Sequence, residues 1–350
     1  MTGLAFDSER WAFFLDTISH MLHLLRIGVL RGGPSSEYDV SLASGGEVLR
    51  NLREFFADKY QPVDVFVDKH GVWHMDGVPI KPEEALRRID LAFNVLHGTY
   101  GEDGKVQSFL EAHNMPFTGS GSLASAVGMN KVMSKKVFKD NNIKSPYWKE
   151  IPSKEIEKDP ESMIQKMFQS FTLPAVVKPV SSGSSVGVSI VRAYTEFPKA
   201  LAEAAKYSDA VLIEEYIPGV EATCGVIEGF RGDDLYALPP VEIRPAPKDG
   251  FYSYGSKYDG TSQKIVPATF SDKTKKELEE LAKKIHRALG LRHYSRSDFI
   301  IHPRRGIYVL EVNTLPGLTS ESSIPRALRA VGSDTHELID ALIQRVMKRL

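Results

Sequence analysis

The 350-residue sequence has a single cysteine, Cys224, and no long hydrophobic run. One cysteine excludes an intrachain disulfide framework and is typical of a reducing compartment. We expect Cys224 to be a buried core residue, because it lies in the apolar stretch 222–227. No segment approaches the roughly 18 apolar residues that a membrane span needs. The sequence therefore predicts no membrane partner and a cytoplasmic location.

An excess of charge of one sign is also lacking. The 44 basic and 45 acidic residues leave a formal net charge of -1, which gives no electrostatic reason to expect a nucleic acid as partner. With 42% hydrophobic and 25% charged residues, the composition is that of an ordinary globular protein. A chain of this length suits two or three lobes, and any anionic ligand must be held locally.

The first 26 residues are predicted to form an N-terminal extension. Apolar residues at helical spacings between 11 and 25 indicate an amphipathic helix. Asp7 and Glu9 stand where a secretory signal would carry positive charge, and no small-residue cleavage site follows. We expect residues 1–20 to be dispensable for activity.

The rest of the chain is predicted to form three lobes. Residues 27–117 alternate short apolar strands with glycine-bearing loops and helical patterns, as in an open α/β sheet whose ligands bind at the carboxyl ends of the strands. Residues 118–212 begin with helices and continue with β-like segments. Residues 213–350 contain a long irregular segment, 244–266, which is typical of a functional loop, and then a charged helix, a hairpin and a closing helix.

The Gly/Ser-rich segment 176–191 reads VVKPVSSGSSVGVSIV, which predicts two strands joined by a tight loop. The backbone N–H groups of such a loop can reach an anion, and Lys178 adds positive charge. We therefore predict a phosphate-binding flap, with an ordinary flexible hairpin as the alternative. The sequence lacks the GxxxxGK[ST] order, so a P-loop fold is not expected.

Three possible oxygen ligands lie in the final predicted hairpin. Alternation along a strand places Glu311 and Asn313 on one face, and the pairing can bring Asp298 opposite them. Hard cations select such oxygens, so this set suits Mg²⁺ bridging nucleotide phosphates. The alternative is a surface hairpin with scattered charge. After this hairpin, the backbone N–H of Gly317 is a candidate for stabilising an oxyanion.

Two further candidates follow predicted strands of the first lobe. His97 ends the strand 91–96 in a glycine-rich turn, where a structural and a functional role remain equally open. Glu37 follows the first strand, and from its position alone it cannot be distinguished from an acid that suits the start of a helix.

Eight blocks of the sequence together resemble the D-alanine–D-alanine ligase family of the ATP-grasp superfold. They occur in the family's order: GGPSSEYDVSLASG (32–45), HGTYGEDGKVQSFLE (97–111), GSLASAVGMNK (121–131), VVKPVSSGSSVGVSIV (176–191), VLIEEYIPGVE (211–221), FYSYGSKY (251–258), RSDF (296–299) and EVNTLPGLTSESSIP (311–325). The resemblance implies an α/β and α+β protein with the ATP-grasp fold and an N-terminal open parallel α/β lobe. ATP is then expected between the central and C-terminal lobes.

The resemblance also implies a role for each matching residue. The nucleotide-binding residues would be Lys131, Lys178, Ser185, Glu214, Glu215, Ile217 and Glu221. Two Mg²⁺ ions, with Mn²⁺ as an alternative, would be held by Asp298, Glu311 and Asn313. The catalytic groups would be Glu37, Ser184, Tyr258, Arg296 and Gly317. The substrate-binding residues would be His97, Lys257, Ser322 and Ser323.

The implied activity is the ATP-dependent joining of two D-alanines through a D-alanyl phosphate, for peptidoglycan synthesis, by a homodimer. Tyr258 favours an amine acceptor, whereas relatives that make the D-lactate ester carry a different loop there. Ser323 stands where a leucine is usual and Gly255 where an acid is usual, and both departures concern acceptor affinity. The alternatives are an ATP-grasp ligase with D-lactate or D-serine as acceptor and a silent nucleotide-binding module.

Overall fold

The computed structural model describes residues 24–158, 160–181, 183, 186–244 and 263–348, whose strands form three sheets. Some predictions lie outside the described residues: those for the N-terminal helix up to residue 23, most of the loop 244–266, Ser184, Ser185, Gly255, Lys257 and Tyr258. Within the described part, no helix combines the length and the apolar character needed to cross a membrane.

The first sheet is parallel at its centre. Its unit consists of β1 (Leu25–Gly32), α1 (Tyr38–Phe55), β2 (Tyr60–Val67), β3 (Trp73–Met75), β4 (Val78–Ile80), α2 (Pro82–Leu86), β5 (Leu91–Asn94) and α3 (Lys105–Ala112). The strand order is β4-β3-β2-β1-β5, with β1 parallel to both β2 and β5 and an antiparallel β3–β4 hairpin at the edge. The middle of β1, residues 27–30, is a continuous apolar run, as expected for a strand that is buried on both faces of a sheet. The predicted open α/β lobe is confirmed.

The second sheet is antiparallel and has four strands. The elements of this part are α4 (Ser122–Met129), α5 (Lys131–Asp140), β6 (Trp148–Pro152), α6 (Ser153–Lys158), α7 (Pro160–Ser170), β7 (Ala175–Pro179), β8 (Ser189–Val191), α8 (Phe197–Ala205) and β9 (Ala210–Glu215). The order is β6-β9-β7-β8. Strands β7 and β8 pair from Ala175 opposite Val191. This pairing confirms the hairpin predicted around the Gly/Ser-rich loop.

The third sheet contains the remaining six strands. Its elements are β10 (Val220–Glu228), β11 (Leu235–Ala237), β12 (Val241–Arg244), β13 (Gln263–Ile265), α9 (Asp272–Ala288), β14 (Tyr294–His302), β15 (Gly306–Asn313), α10 (Ser323–Ala330) and α11 (Thr335–Met347). The order is β13-β12-β10-β14-β15, with β11 paired to β10. Strands β14 and β15 form the predicted final hairpin, and α9 buries Leu278, Ala282 and Ile285 against this sheet.

The hydrophobic cores cross the lobe ranges predicted from the sequence. Phe138 of α5 shares a core with Ala222 of β10, although the helices of 122–140 were predicted to belong to the central lobe. Helix α11 packs on α1, where Leu342 joins Val48 in one core. The reason is that each amphipathic helix covers the nearest uncovered apolar face, which need not belong to the neighbouring segment of chain. The lobe boundaries therefore stay a prediction.

The turn that contains Gly101 leaves no space for a side chain. A Cβ added there would lie 1.7 Å from the carbonyl oxygen of Leu96, and that backbone cannot move away cheaply. We expect Gly101→Ala to lower the free energy of unfolding by on the order of 3 kcal/mol. Gly46 in α1 is the matched control, because nothing lies within 4 Å of its added Cβ. In urea unfolding, Gly46→Ala should be neutral or stabilising, and an equal effect of both substitutions would contradict the argument.

Candidate active site

A cavity of about 680 Å³ lies where the three sheets meet. Val176 and Ile190 of the four-stranded sheet and Ala222 of the six-stranded sheet form parts of its wall. Every predicted site residue within the described part of the chain lines this cavity: Glu37, His97, Lys131, Lys178, Glu214, Glu215, Ile217, Glu221, Arg296, Asp298, Glu311, Asn313, Gly317, Ser322 and Ser323. Residues more than 250 positions apart in the sequence therefore meet in one site.

The β14–β15 hairpin brings the three predicted metal ligands together. Asp298 is opposite Glu311, and Arg296 is opposite Asn313. The register shifts after Asp298, so that Phe299 is opposite Val309 and Leu310 is the extra residue of a β-bulge. A bulge turns a side chain that strict alternation would place on the other face. As a result, Leu310 lines the cavity next to Glu311.

Asp298 accepts hydrogen bonds from three neighbouring side chains. It accepts hydrogen bonds from Arg296 Nε at 2.9 Å and Nη2 at 3.0 Å, and from Asn313 Nδ2 at 3.1 Å. Thr223 Oγ1 donates a further hydrogen bond to it at 2.6 Å, because Thr223 is opposite Asp298 in the β10–β14 pairing. The carboxylate is thus oriented toward the cavity by three neighbouring side chains.

The donor set fits a small hard cation that also binds phosphate. Two carboxylates, Asp298 and Glu311, and the amide oxygen of Asn313 lie on one face of the hairpin. Among the described residues, no three or more His, Cys, Asp or Glu side chains gather as a metal site. Mg²⁺ is usually held by one or two carboxylates together with substrate phosphates rather than by a full protein cage. The residues present therefore suit a nucleotide-bound Mg²⁺.

Three lysines and two glutamates form a charged cluster at the cavity, and all of them except Lys135 line its wall. Asn130 is the N-cap of helix α5, and its side chain accepts hydrogen bonds from the backbone N–H groups of Val132 and Met133. Its first residue, Lys131, lies with Nζ 3.3 Å from Glu311 Oε2. Lys135, one turn later, is on the same face of the helix.

Lys135 and Lys178 hold one buried carboxylate between them. Lys135 Nζ lies 2.8 Å from Glu214 Oε1, and Lys178 Nζ lies 2.8 Å from Glu214 Oε2. The Glu214 side chain is only 3% exposed, and that of Lys135 is fully buried. Two positive charges and one negative charge give this Lys135–Glu214–Lys178 triad a net charge of +1. Lys178 and Glu214 both line the cavity, so the net charge of the triad lies at its wall.

Burial and pairing compete in this triad. Burial lowers the pKa of Lys135 to about 8, although the carboxylate of Glu214 partly offsets this effect. For Glu214, burial raises the pKa, but the two lysines outweigh it and the pKa is lower than usual. The carboxylate is therefore ionised near neutral pH, and the lysine opposite it carries the charge that balances it.

The first lobe supplies the other side of the cavity. Glu37 precedes α1, and its carboxylate lies against the flap, since a Cβ added to Gly183 would be 2.6 Å from Glu37 Oε2. His97 is only 3% exposed, and its Nδ1 lies 3.6 Å from Glu102 Oε1. The sequence left the role of His97 open, and in the structure it is a buried cavity residue with polar partners on both ring nitrogens.

The segment after β15 lines another part of the cavity. A Cβ added to Gly317 would be 2.9 Å from Ser322 Oγ, so the backbone at Gly317 runs next to that hydroxyl. Ser322 stands immediately before α10 and shares a hydrogen bond of 2.8 Å with Thr319 Oγ1. A backbone N–H donor and a serine hydroxyl are thus neighbours at one end of the cavity.

The residues proposed for the base and ribose lie around the connection between β9 and β10. The backbone N–H of Glu215 donates to the carbonyl of Tyr147 at 2.9 Å, and its carboxylate pairs with Arg305 at 2.5 Å. Ile217 is buried, and Glu221 follows at the start of β10, where it is opposite Ile300. Their contacts with a nucleotide stay a prediction.

The residues of the site that were not found from the sequence include Glu102, Lys135, Thr223, Leu310 and Ser44, whose Oγ lies 2.9 Å from His97 Nε2. The spacing of four from Lys131 could have identified Lys135, since both lie on one helix face. Thr223 and Leu310 depend on the register of the strand pairs and on a bulge, for which the sequence carries no local signal.

Known proteins resemble this chain over nearly its whole length. Residues 137–344 match the family model of the D-ala D-ala ligase C-terminus, and residues 75–120 match that of the N-terminus. D-alanine–D-alanine ligases from Geotalea uraniireducens and Geobacter sulfurreducens are 38% and 39% identical, over 91% and 92% of this chain and 94% of each relative. The one from Desulforamulus reducens is 38% identical over 93% of this chain and 99% of the relative.

Solved structures agree with the sequence relatives. The VanG D-Ala:D-Ser ligase from Enterococcus faecalis superposes with a TM-score of 0.79 at 28% identity, covering 92% of this chain and 99% of that one. The D-alanine–D-alanine ligase from Coxiella burnetii gives a TM-score of 0.78 at 27% identity, covering 93% and 95%. The predicted ATP-grasp fold is confirmed. Both family models and these relatives place the chain in the D-alanine–D-alanine ligase family.

Proposed function

We propose that the protein joins two D-alanines into D-alanyl-D-alanine, with ATP converted to ADP and phosphate, for peptidoglycan synthesis. The observation that carries the proposal is a cavity lined by Lys131 and Lys178, by the oxygen-rich β14–β15 hairpin and by Glu37 and His97 of the first lobe. The relatives that are 38–39% identical over most of the chain are named D-alanine–D-alanine ligases, which supports D-alanine as the acceptor.

The lysine cluster is suited to the phosphates of ATP. Lys131 and Lys178 line the cavity, and the net positive charge of the Lys135–Glu214–Lys178 triad favours a polyanion there. The flap between β7 and β8 adds a stretch of backbone at Gly183 that approaches the first lobe. Mg²⁺ held by Asp298, Glu311 and Asn313 would neutralise charge that accumulates on the transferred phosphoryl group.

The two D-alanines present groups of opposite charge to the site, an ammonium group and a carboxylate. The Glu37 carboxylate is suited to the ammonium group of the first D-alanine, whose carboxylate attacks the γ-phosphate to give an acyl phosphate. The amine of the second D-alanine then attacks the acyl carbon and releases phosphate. Arg296 and the Gly317 N–H are suited to the oxyanion that forms at this carbon, and Ser322 to the second carboxylate.

Several finer assignments stay predictions. They are the homodimer, the cytoplasmic location, the lobe ranges, the ribose and adenine contacts, and the roles of Ser184, Ser185, Lys257, Tyr258 and Ser323. The two-ion arrangement also belongs to this group. Each concerns how the site is completed rather than which bond is formed.

The first experiment is a product assay with the purified chain. ATP, Mg²⁺ and D-alanine should yield ADP, phosphate and D-alanyl-D-alanine in equal amounts, identified by mass spectrometry. L-alanine alone should give no dipeptide. A product that requires added D-serine or D-lactate would contradict the acceptor assignment, and no ATP turnover with any of these substrates would contradict the proposed reaction.

A further inference from the structure

Ser44 connects the first lobe to the segment that carries Gly317. It lies on the buried face of α1 and is fully buried. Its Oγ is 2.9 Å from His97 Nε2 and accepts a hydrogen bond of 3.3 Å from the backbone N–H of Leu318. The serine hydroxyl therefore touches a loop of the first lobe and, 274 residues away, the loop that follows β15.

The hydrogen bonds in this group have a preferred direction. The carboxylate of Glu102 lies 3.6 Å from His97 Nδ1, and it accepts from the N–H of Gly98 at 3.1 Å. At 3.6 Å the carboxylate acts through its negative charge rather than through a hydrogen bond, and this charge favours the tautomer with the proton on Nδ1, which leaves Nε2 as an acceptor. Ser44 then donates its hydroxyl proton to His97 Nε2 and uses its oxygen for the N–H of Leu318.

This direction fixes the orientation of the peptide next to Gly317. The loop holds the donor proposed for the oxyanion and, five residues later, Ser322 for the second carboxylate, so rotation of this backbone would move both groups. A displacement of about 1 Å in the position of such an N–H donor removes much of its stabilisation of the oxyanion, because the donor must point at the atom on which negative charge develops. The Glu102–His97–Ser44 chain is nearly dry, since the side chains of Glu102 and His97 are 12% and 4% exposed.

We propose that Ser44 is a positioning residue for the second half-reaction: with His97 and Glu102 it holds the Gly317–Leu318 backbone in the orientation that receives the tetrahedral oxyanion. The inference rests on the proposed function and assigns to the buried histidine a task in the attack by the second amine. Formation of the acyl phosphate does not require this loop to be fixed.

The test measures coupling rather than rate alone. Ser44→Ala removes both hydrogen bonds. The acyl phosphate should still form, but attack by the second amine should be slower, so that water hydrolyses part of the intermediate. The ratio of phosphate to dipeptide should rise from 1 to above 2, the dipeptide turnover should fall about tenfold, and the KM for ATP should stay unchanged. These quantities are read by coupled ADP and phosphate assays and mass spectrometry.

Ser41→Ala is the matched control. Ser41 is one turn earlier on α1, equally buried, and its hydroxyl also makes two hydrogen bonds, one from Gly32 N–H and one to the carbonyl of Val95. It does not contact the Leu318 segment through these bonds. We expect Ser41→Ala to lower the Tm with the phosphate-to-dipeptide ratio unchanged at 1.

The outcomes separate this inference from the proposed function. Should Ser44→Ala fail to fold, Glu102→Gln provides the same test, since it removes the charge that sets the tautomer and should raise the ratio in the same direction. A ratio of 1 in the folded variant overturns the inference. A wild-type chain that makes no dipeptide contradicts the proposed function itself.

Discussion

Replacing Lys135 with methionine should raise the KM for ATP by about tenfold, or roughly 1.4 kcal/mol. This lysine is not on the cavity wall, yet it supplies one of the two positive charges that flank Glu214. Without it, the buried carboxylate is balanced by Lys178 alone, and the net charge of the group falls from +1 to zero. Lys178 is then engaged by the carboxylate and attracts the phosphates less.

The same substitution should destabilise the fold by on the order of 3 kcal/mol, because it removes one partner of a buried ion pair. Lys136→Met is the matched control, since it removes a charge from the exposed face of the same helix. Steady-state kinetics and thermal unfolding of both variants separate the two effects. An unchanged KM for ATP in a folded Lys135→Met protein would show that the surplus charge does not reach the nucleotide.

The triad also predicts a pH dependence of ATP binding. Burial lowers the pKa of Lys135 to about 8, so the wild-type KM for ATP should rise between pH 7 and pH 9, and Lys135→Met should not show this rise. In the unfolded chain Lys135 keeps its proton up to about pH 10.5, so between pH 8 and pH 10.5 the unfolded state binds more protons than the folded state. The contribution of Lys135 to the free energy of unfolding consequently increases with pH, and the loss of affinity cannot come from unfolding at this group.

Glu311→Gln should lower kcat by about 100-fold or more, because it removes the negative charge of a proposed metal ligand while keeping the shape of the side chain. The Glu311 side chain is 25% exposed at the cavity, so the fold should be little affected. Its pairing with Lys131 is lost as well. The loss should therefore appear in turnover and in the Mg²⁺ concentration needed for half-maximal activity, rather than in the Tm.

Glu150→Gln serves as the control for this variant, since Glu150 is an exposed carboxylate on β6. Titration of Mg²⁺ at saturating ATP and D-alanine gives the half-activation concentration for each protein. A Glu311→Gln enzyme with wild-type turnover and an unshifted Mg²⁺ titration would remove this residue from the metal site.

Local patterns in the sequence were sufficient to predict two of the structural features that build the site. Apolar runs on both sides of a Gly/Ser-rich loop predicted the β7–β8 hairpin, and alternation predicted that Glu311 and Asn313 share a face. Both patterns are read over fewer than twenty residues, the range in which chain geometry dictates which side chains meet.

Features that depend on long-range pairing could not be predicted in this way. Thr223 reaches Asp298 only because β10 and β14 pair in one particular register, and a shift by one residue would turn it away. Leu310 enters the cavity through a bulge. The contact of Ser44 with Leu318 joins helix α1 to the loop that follows β15, and neither sequence specifies the other.

Helix α11 affects the order in which the parts of the chain fold during synthesis. The residues that cover Val48 and Leu52 of α1 belong to 335–347, almost 300 positions later. Domains generally fold as units while the chain leaves the ribosome, the N-terminal one first. Here the first lobe keeps an uncovered apolar face until residue 347 has been made, so its folding is completed after the rest of the chain and not before it.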